Sequence, residues 1–290
     1  MDIQTQGWIN GFIGVVIFSI SLPATRVAVL ELDPFFLTFA RASIAALLGL
    51  FLLGALRQAK PQASDLPALF FVSIGVVFGY PLLSAMALQH ISSAHSLVFV
   101  GLLPLATAVF ALLRGGERPR ATFWLFSLMG AALVTGFALW QDAGSSEFSL
   151  KGDLLMLAAI LICGLGYAEG ARLARTLGGW QVISWALLLS LPLTLPATLL
   201  YLPRSFASIS IAAWLGLFYV ALFSMLIGFI FWYRGLAQGG IAAVGQIQYL
   251  QPFIGFAFAA MLLNEPVHLS MLLTALGAVV CVFFAKKYAR

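Results

Sequence analysis

Residues 88–117 read LQHISSAHSLVFVGLLPLATAVFALLRGGE, and residues 236–265 read LAQGGIAAVGQIQYLQPFIGFAFAAMLLNE. Laid over one another at an offset of 148 residues, Leu88 falls on Leu236, Ala94 on Ala242, Pro104 on Pro252 and Glu117 on Glu265. Past the glutamate, a one-residue gap aligns Gly130-Ala131 with Gly277-Ala278. Matches held in order at a single offset point to an internal duplication. Each stretch runs from the end of one apolar segment, through a proline-bearing one, to an acidic residue just before the next.

The rest of the chain fixes what is duplicated. Of 290 residues, 62% are hydrophobic and 9% charged, against about 25% charged in an ordinary soluble domain. So few ionic groups cannot cover a water-facing globule, which excludes a soluble enzyme, a disordered chain and a coiled coil and leaves a polytopic membrane protein. Asp, Glu, Lys and Arg are absent from 3–25, 42–56, 66–113, 121–141, 154–168, 176–203, 205–233, 235–264 and 266–285. A helix needs about 20 apolar residues to cross the hydrocarbon layer. The run at 66–113 holds two crossings, separated by the polar break Gln89-His90-Ile91-Ser92-Ser93. The two shortest runs reach full length once Arg41 and Glu169 are admitted as embedded charges. Ten spans follow, at 8–30, 35–56, 66–89, 92–113, 121–140, 152–174, 181–202, 210–234, 240–263 and 267–285. The predicted class is an all-α integral membrane protein; long apolar runs rule out an outer-membrane barrel, whose strands alternate. The first span is expected to stay in place, since Met1-Asp2 brings no basic leader and no small-residue cleavage pattern follows.

Basic residues gather between alternate spans. Arg57, Lys60, Arg114, Arg118, Arg120, Arg172, Arg175, Arg234, Lys286, Lys287 and Arg290 fall on one side, and Arg26, Lys151 and Arg204 on the other. The positive-inside rule places both termini in the cytoplasm. These cations read as topological anchors, so the net charge of +5 calls for no nucleic-acid partner. Cys163 and Cys281 sit inside apolar spans without metal or redox spacing and read as inert thiols.

Five spans per copy is an odd number, so the second copy enters the membrane from the opposite side. Two inverted five-helix repeats are expected, at 1–145 and 146–290. This plan recurs in secondary transporters, with the substrate site near the midplane between the copies. Ala87-Leu88, Ala94, Pro104 and Glu117, repeated as Gly235-Leu236, Ala242, Pro252 and Glu265, resemble the EamA domain of the drug/metabolite transporter superfamily. The stretch from Phe18 to Arg41 resembles that family's first two helices, with Arg26 where a basic residue is usual and Arg41 in the second helix. The likeness covers nearly the whole chain. It implies ten helices, a bacterial inner-membrane location and export of amino acids, other metabolites or drugs. Arg41 has no basic counterpart in the second copy, where Trp185-Ala186-Leu187 stands opposite.

A transporter pocket needs polar or aromatic groups inside the bundle, because lipid-facing positions are apolar. Gln248 and Gln251 lie three apart on one face of span nine, and their repeat partners on span four belong to the face of Ser96, Phe99 and Leu103. Tyr80 and Ser84 lie four apart on span three, with Gly228 and Trp232 as repeat partners. Tyr80, Ser84, Ser96, Phe99, Trp232, Gln248 and Gln251 are therefore the substrate-binding candidates, a mixture suited to a small amphipathic solute such as an amino acid. Each also has a plain structural role open to it. Gln and Ser bond to neighbouring helices for about 0.6–2 kcal/mol, and Tyr and Trp mark the membrane interface. Arg41, His95 and Glu169 are candidates for coupling or for structural charge. The spacing of Glu169 and Arg172 favours a local salt bridge over a proton relay.

The leading expectation is an exporter of neutral or aromatic amino acids working by alternating access, with no cofactor or metal and with the lipid bilayer as partner. A multidrug, nucleoside or other metabolite transporter of the same fold stays open, as does an intramembrane enzyme. The sequence contains no HExxH, no GxSxG and no metal-ligand cluster. Oligomeric state is not legible.

Overall fold

The computed structural model describes residues 2–91, 96, 99–142, 149–255, 258 and 269–289. Its helices are α1 (Ile3–Val29), α2 (Pro34–Ala55), α3 (Ala63–Ala87), α4 (Leu103–Leu113), α5 (Ala121–Asp142), α6 (Leu150–Leu177), α7 (Gly179–Leu200), α8 (Ile211–Gly239), α9 (Ile241–Gly245, then a 3-10 turn Gln246–Leu250) and α10 (Leu269–Tyr288). Among the described residues there is no strand. Among the described residues, helices α1, α2, α3, α6, α7 and α8 are each long and apolar enough to cross a membrane, and Leu103–Leu113 and Ala121–Phe137 are shorter apolar helices.

Local chemistry sets the starts. Asp33 accepts from the amides of Phe35 and Phe36 at 2.8 and 3.2 Å, ahead of Pro34 in the first turn of α2. Asp2, Ser149 and Ser210 cap α1, α6 and α8 in the same way. Single glycines join α6 to α7 and α8 to α9. Gly178 and Gly240 have φ of +95° and +97°, a backbone that a side chain would strain.

Packing shows how the copies relate. On α2 and α7, Phe35 stacks on Tyr201 at 5.0 Å, Ser43 bonds Thr198 at 3.2 Å, and Gly49 rests on Ser184. On α5 and α10, the Arg120 amide meets the Tyr288 carbonyl, Phe126 stacks on Phe284 at 4.7 Å, and Gly277 faces Leu133. Both pairs are repeat-equivalent helices, and both run antiparallel. The pairings α1–α8 and α3–α6 exchange with one another under the same correspondence. Close approach depends on glycine. A Cβ on Gly235 would lie 2.5 Å from the Gly11 nitrogen, and one on Gly75 would lie 2.6 Å from the Ile162 carbonyl.

Glu31, between α1 and α2, accepts from the amide and the hydroxyl of Ser210, both at 2.6 Å, and ties that turn to the start of α8. These bonds hold its carboxyl below the usual glutamate range. A folded-state value below the unfolded one adds stability above the unfolded pKa, and the contribution disappears as pH falls through the folded value. Wild type is therefore expected to melt higher than Glu31→Gln near neutral pH, with the gap closing on acidification. Thermal unfolding across a pH series in detergent checks it.

Candidate functional site

α3 and α8 share an irregularity. α3 is π-helical over Ser73–Gly79 and α8 over Val220–Ile227, and regular helix resumes at Tyr80 and Gly228, 148 residues apart. The same wide-turn bond closes each segment: Tyr80 N–H donates to the Gly75 carbonyl and Gly228 N–H to that of Phe223. A π turn carries an extra residue per turn and swings the following side chains round the helix. Pro81, which has no amide hydrogen, lies in the first turn of the piece after the first such segment; Pro23 and Pro104 likewise lie in the first turn of a piece that follows a break.

The two wide turns face a cavity at the centre of the bundle. Val76 and Ser224, repeat partners from the π segments, both line it. So do two further partner pairs, Pro81 with Phe229 and Leu103 with Gln251. Equivalent positions of both copies thus bound this cavity. Its walls are aromatic, with Phe18 5.1 Å and Tyr167 5.9 Å from Phe229 between ring centres, and Tyr80 beside them. At ≈ 30 Å³ it has room for a water or two and is far below the size of a ligand pocket.

Arg41 supplies the charge in this cavity. It is 6% exposed, its Nη2 donates to Ser224 Oγ at 3.2 Å, and its Nε is buried without a partner among the described residues. Ser21 donates to the same Ser224 oxygen at 2.9 Å. No carboxylate lines the cavity among the described residues. A desolvated guanidinium with one hydroxyl partner among the described residues has donors to spare for an acceptor brought in from outside.

The sequence candidates distribute around this centre. Tyr80 and Gln251 line the cavity together with Arg41, and Gln251 Nε2 also donates to the Phe18 carbonyl at 3.4 Å. Trp232 is fully buried one layer back, 5.4 Å from Tyr167 and 6.2 Å from Phe18. Ser84 is buried and donates to the Pro81 carbonyl. Gln248 is buried too, bonded to the Gly245 carbonyl at 3.2 Å with its Oε1 unpaired. Ser96 is fully buried, and Phe99 packs half-buried on the core. His95 lies outside the described residues. Glu169 is away from the cavity and fully buried, held by Arg172 at 2.8 Å, the partner its spacing indicated, and by Arg114 at 2.5 Å. Ser224, Ser21 and Phe229 were not anticipated; pairing Pro81 with Phe229 at the repeat offset would have found the last.

Glu117 of the repeat signature acts as a cap. Glu117 accepts from the amides of Ile241 and Ala242, both at 2.8 Å, and from Arg175 Nη2 at 2.6 Å. It neutralises the positive end of α9 from the other copy. Arg26 does the converse at the end of α3, donating to the Leu88 carbonyl. Glu117→Gln keeps one acceptor oxygen where three donors converge, so a loss of about 1–3 kcal/mol is expected. It should appear as a melting temperature lower by several degrees.

Comparison with known proteins agrees with this architecture. A family model described as "EamA-like transporter family" matches residues 5–138 and again 150–285. A Bacillus subtilis (strain 168) protein named "Uncharacterized transporter YdeK" is 59% identical over 290 residues, all of both chains. A "Probable terminal-alkyne amino-acid exporter" of Streptantibioticus cattleyicolor is 24% identical over 264 residues, covering 91% of this chain and 88% of that one. A solved crystal structure superposes with a TM-score of 0.78 over 96% of this chain and 97% of its own at 21% identity, a likeness of fold.

Proposed function

This chain belongs to the EamA-like transporter family, and from that premise we propose that it exports a small amphipathic metabolite, neutral and aromatic amino acids first. Transport runs by alternating access between two inverted five-span halves, residues 1–145 and 146–290. Both termini lie in the cytoplasm and the protein sits in the bacterial inner membrane. The observation that carries the reading is the central cavity, with aromatic walls, one cation and repeat-paired lining positions. Arg41 takes the substrate carboxylate in a bidentate pair, while Tyr80, Gln251 and the rings of Phe18 and Phe229 take the rest. Ser84, Ser96, Phe99, Trp232 and Gln248 form the surrounding ring that widening of the cavity brings to the solute.

Such a site rejects organic cations, since a buried guanidinium repels them across a low dielectric. Proteoliposomes loaded with labelled phenylalanine, a nucleoside or a cationic dye separate the alternatives. Saturable phenylalanine flux well above the other two is expected. Flux of all three at the protein-free background, or chemical alteration of the solute, would overturn the proposal. An imposed pH gradient is expected to leave initial flux unchanged, because no carboxylate of the described residues lines the cavity.

A further inference from the structure

We propose that the chain binds the headgroup of an anionic phospholipid in a cleft on the face that bears both chain ends. The inference is independent of the transported solute. Two openings of ≈ 500 and ≈ 290 Å³ share Arg175, Ala237 and Gln238 and form one continuous cleft. The larger lies between the α6–α7 turn and the last turns of α8, with Arg175 and Arg234 on its walls. The smaller adds Arg118 and Lys286.

The charge in this cleft is unbalanced. Glu117 is the acid on its lining, and its oxygens are already taken by the α9 amides and Arg175. Arg118 and Arg234 make no ion pair among the described residues, while Lys286 lies 4.3 Å from the centre of the Trp8 ring. A phosphodiester offers what converging cations lack, two charged acceptor oxygens for guanidinium donors.

Topological anchoring does not account for the convergence. Orientation needs basic residues only somewhere in the loops of one face, and Arg57 and Lys60 meet that need without lining the cleft. Here the four cations come from the α4–α5 turn, α6, α8 and α10, remote in sequence, and meet in one concavity. A membrane lipid fits better than a soluble phosphate because the larger opening also presents Ile3, Trp180 and Ile230, apolar surface of the kind that tryptophan marks at the bilayer interface. Basic pockets between helix ends are a recurrent way of holding lipid phosphates.

The test uses the intact protein in nanodiscs of phosphatidylcholine with graded phosphatidylglycerol, followed by native mass spectrometry of lipids retained on release. Wild type is expected to keep phosphatidylglycerol at least about tenfold in preference to phosphatidylcholine. R118Q/R234Q should weaken retention about thirtyfold, at the usual worth of two cations near a charged surface. R57Q/K60Q removes as much charge from the same face and should keep the preference. R118K/R234K keeps the cations and reports whether the cleft survives substitution. Equal loss from both neutral pairs, or no loss from R118Q/R234Q while R118K/R234K folds normally, would overturn the site. A thermal shift by millimolar glycerol phosphate as large as that given by phosphatidylglycerol would assign it to soluble anions and overturn the lipid.

Discussion

Arg41→Gln is expected to lower flux of a carboxylate-bearing solute at least about a hundredfold while leaving the protein folded. The guanidinium is buried beside the central cavity, and among the described residues Ser224 is its hydrogen-bond partner and its Nε is unpaired. Burying a charge that is so poorly matched costs several kcal/mol, so the residue weakens the fold rather than securing it. Its neutral replacement should melt at the same temperature or higher. What is lost is a pair of charge-assisted bonds to the substrate, each worth about 1.5–3 kcal/mol; two at the lower figure correspond to roughly a hundredfold. Arg41→Lys, with the charge but without the fork, should recover part of the rate. Flux in proteoliposomes read beside thermal unfolding decides the matter. A Gln variant that transports normally would remove the arginine from the site, and one that unfolds would show that it serves the scaffold.

The largest structural effect is expected from Gly235→Val. A Cβ at this position would stand 2.5 Å from the Gly11 nitrogen, 2.8 Å from its Cα and 2.9 Å from the Gly7 carbonyl. All three are backbone atoms of α1, so no side chain can turn aside, and α1 must separate from α8 along the seam that Gly7 and Gly239 continue. Overpacking of a tight interface costs about 1–3 kcal/mol for a methylene or so, and three backbone clashes with two further methyls exceed that. Little monodisperse protein should survive detergent extraction. Gly54→Ala is the control, because nothing lies within 4 Å of its Cβ, and it should behave as wild type. Normal yield and melting from Gly235→Val would mean that α1 and α8 do not hold this contact in the membrane.

Helix type and the duplication were open to reading because each rests on long-range pattern. Charge-free runs mark spans, and an offset of 148 pairs Leu88 with Leu236 and Pro104 with Pro252. The site was only half legible. Tyr80, Gln251 and Arg41 were singled out and do line the cavity, but Ser224 and Phe229 were not, and Gln248 turns away from it. Placing residues on a face assumes 3.6 per turn. The π segments in α3 and α8 break that count, so positions on either side of them rotate relative to one another. Between Gln248 and Gln251 the chain leaves a 3-10 turn, which is why two glutamines three apart bond to different helices. The second partner of Glu169, Arg114, lies 55 residues away in sequence, beyond any local spacing rule.

The paired wide turns of α3 and α8 also bear on ancestry. An extra residue inserted independently at the same register of two separate helices would be a coincidence, whereas one insertion made before the gene doubled explains both. The half-length forebear then already carried it.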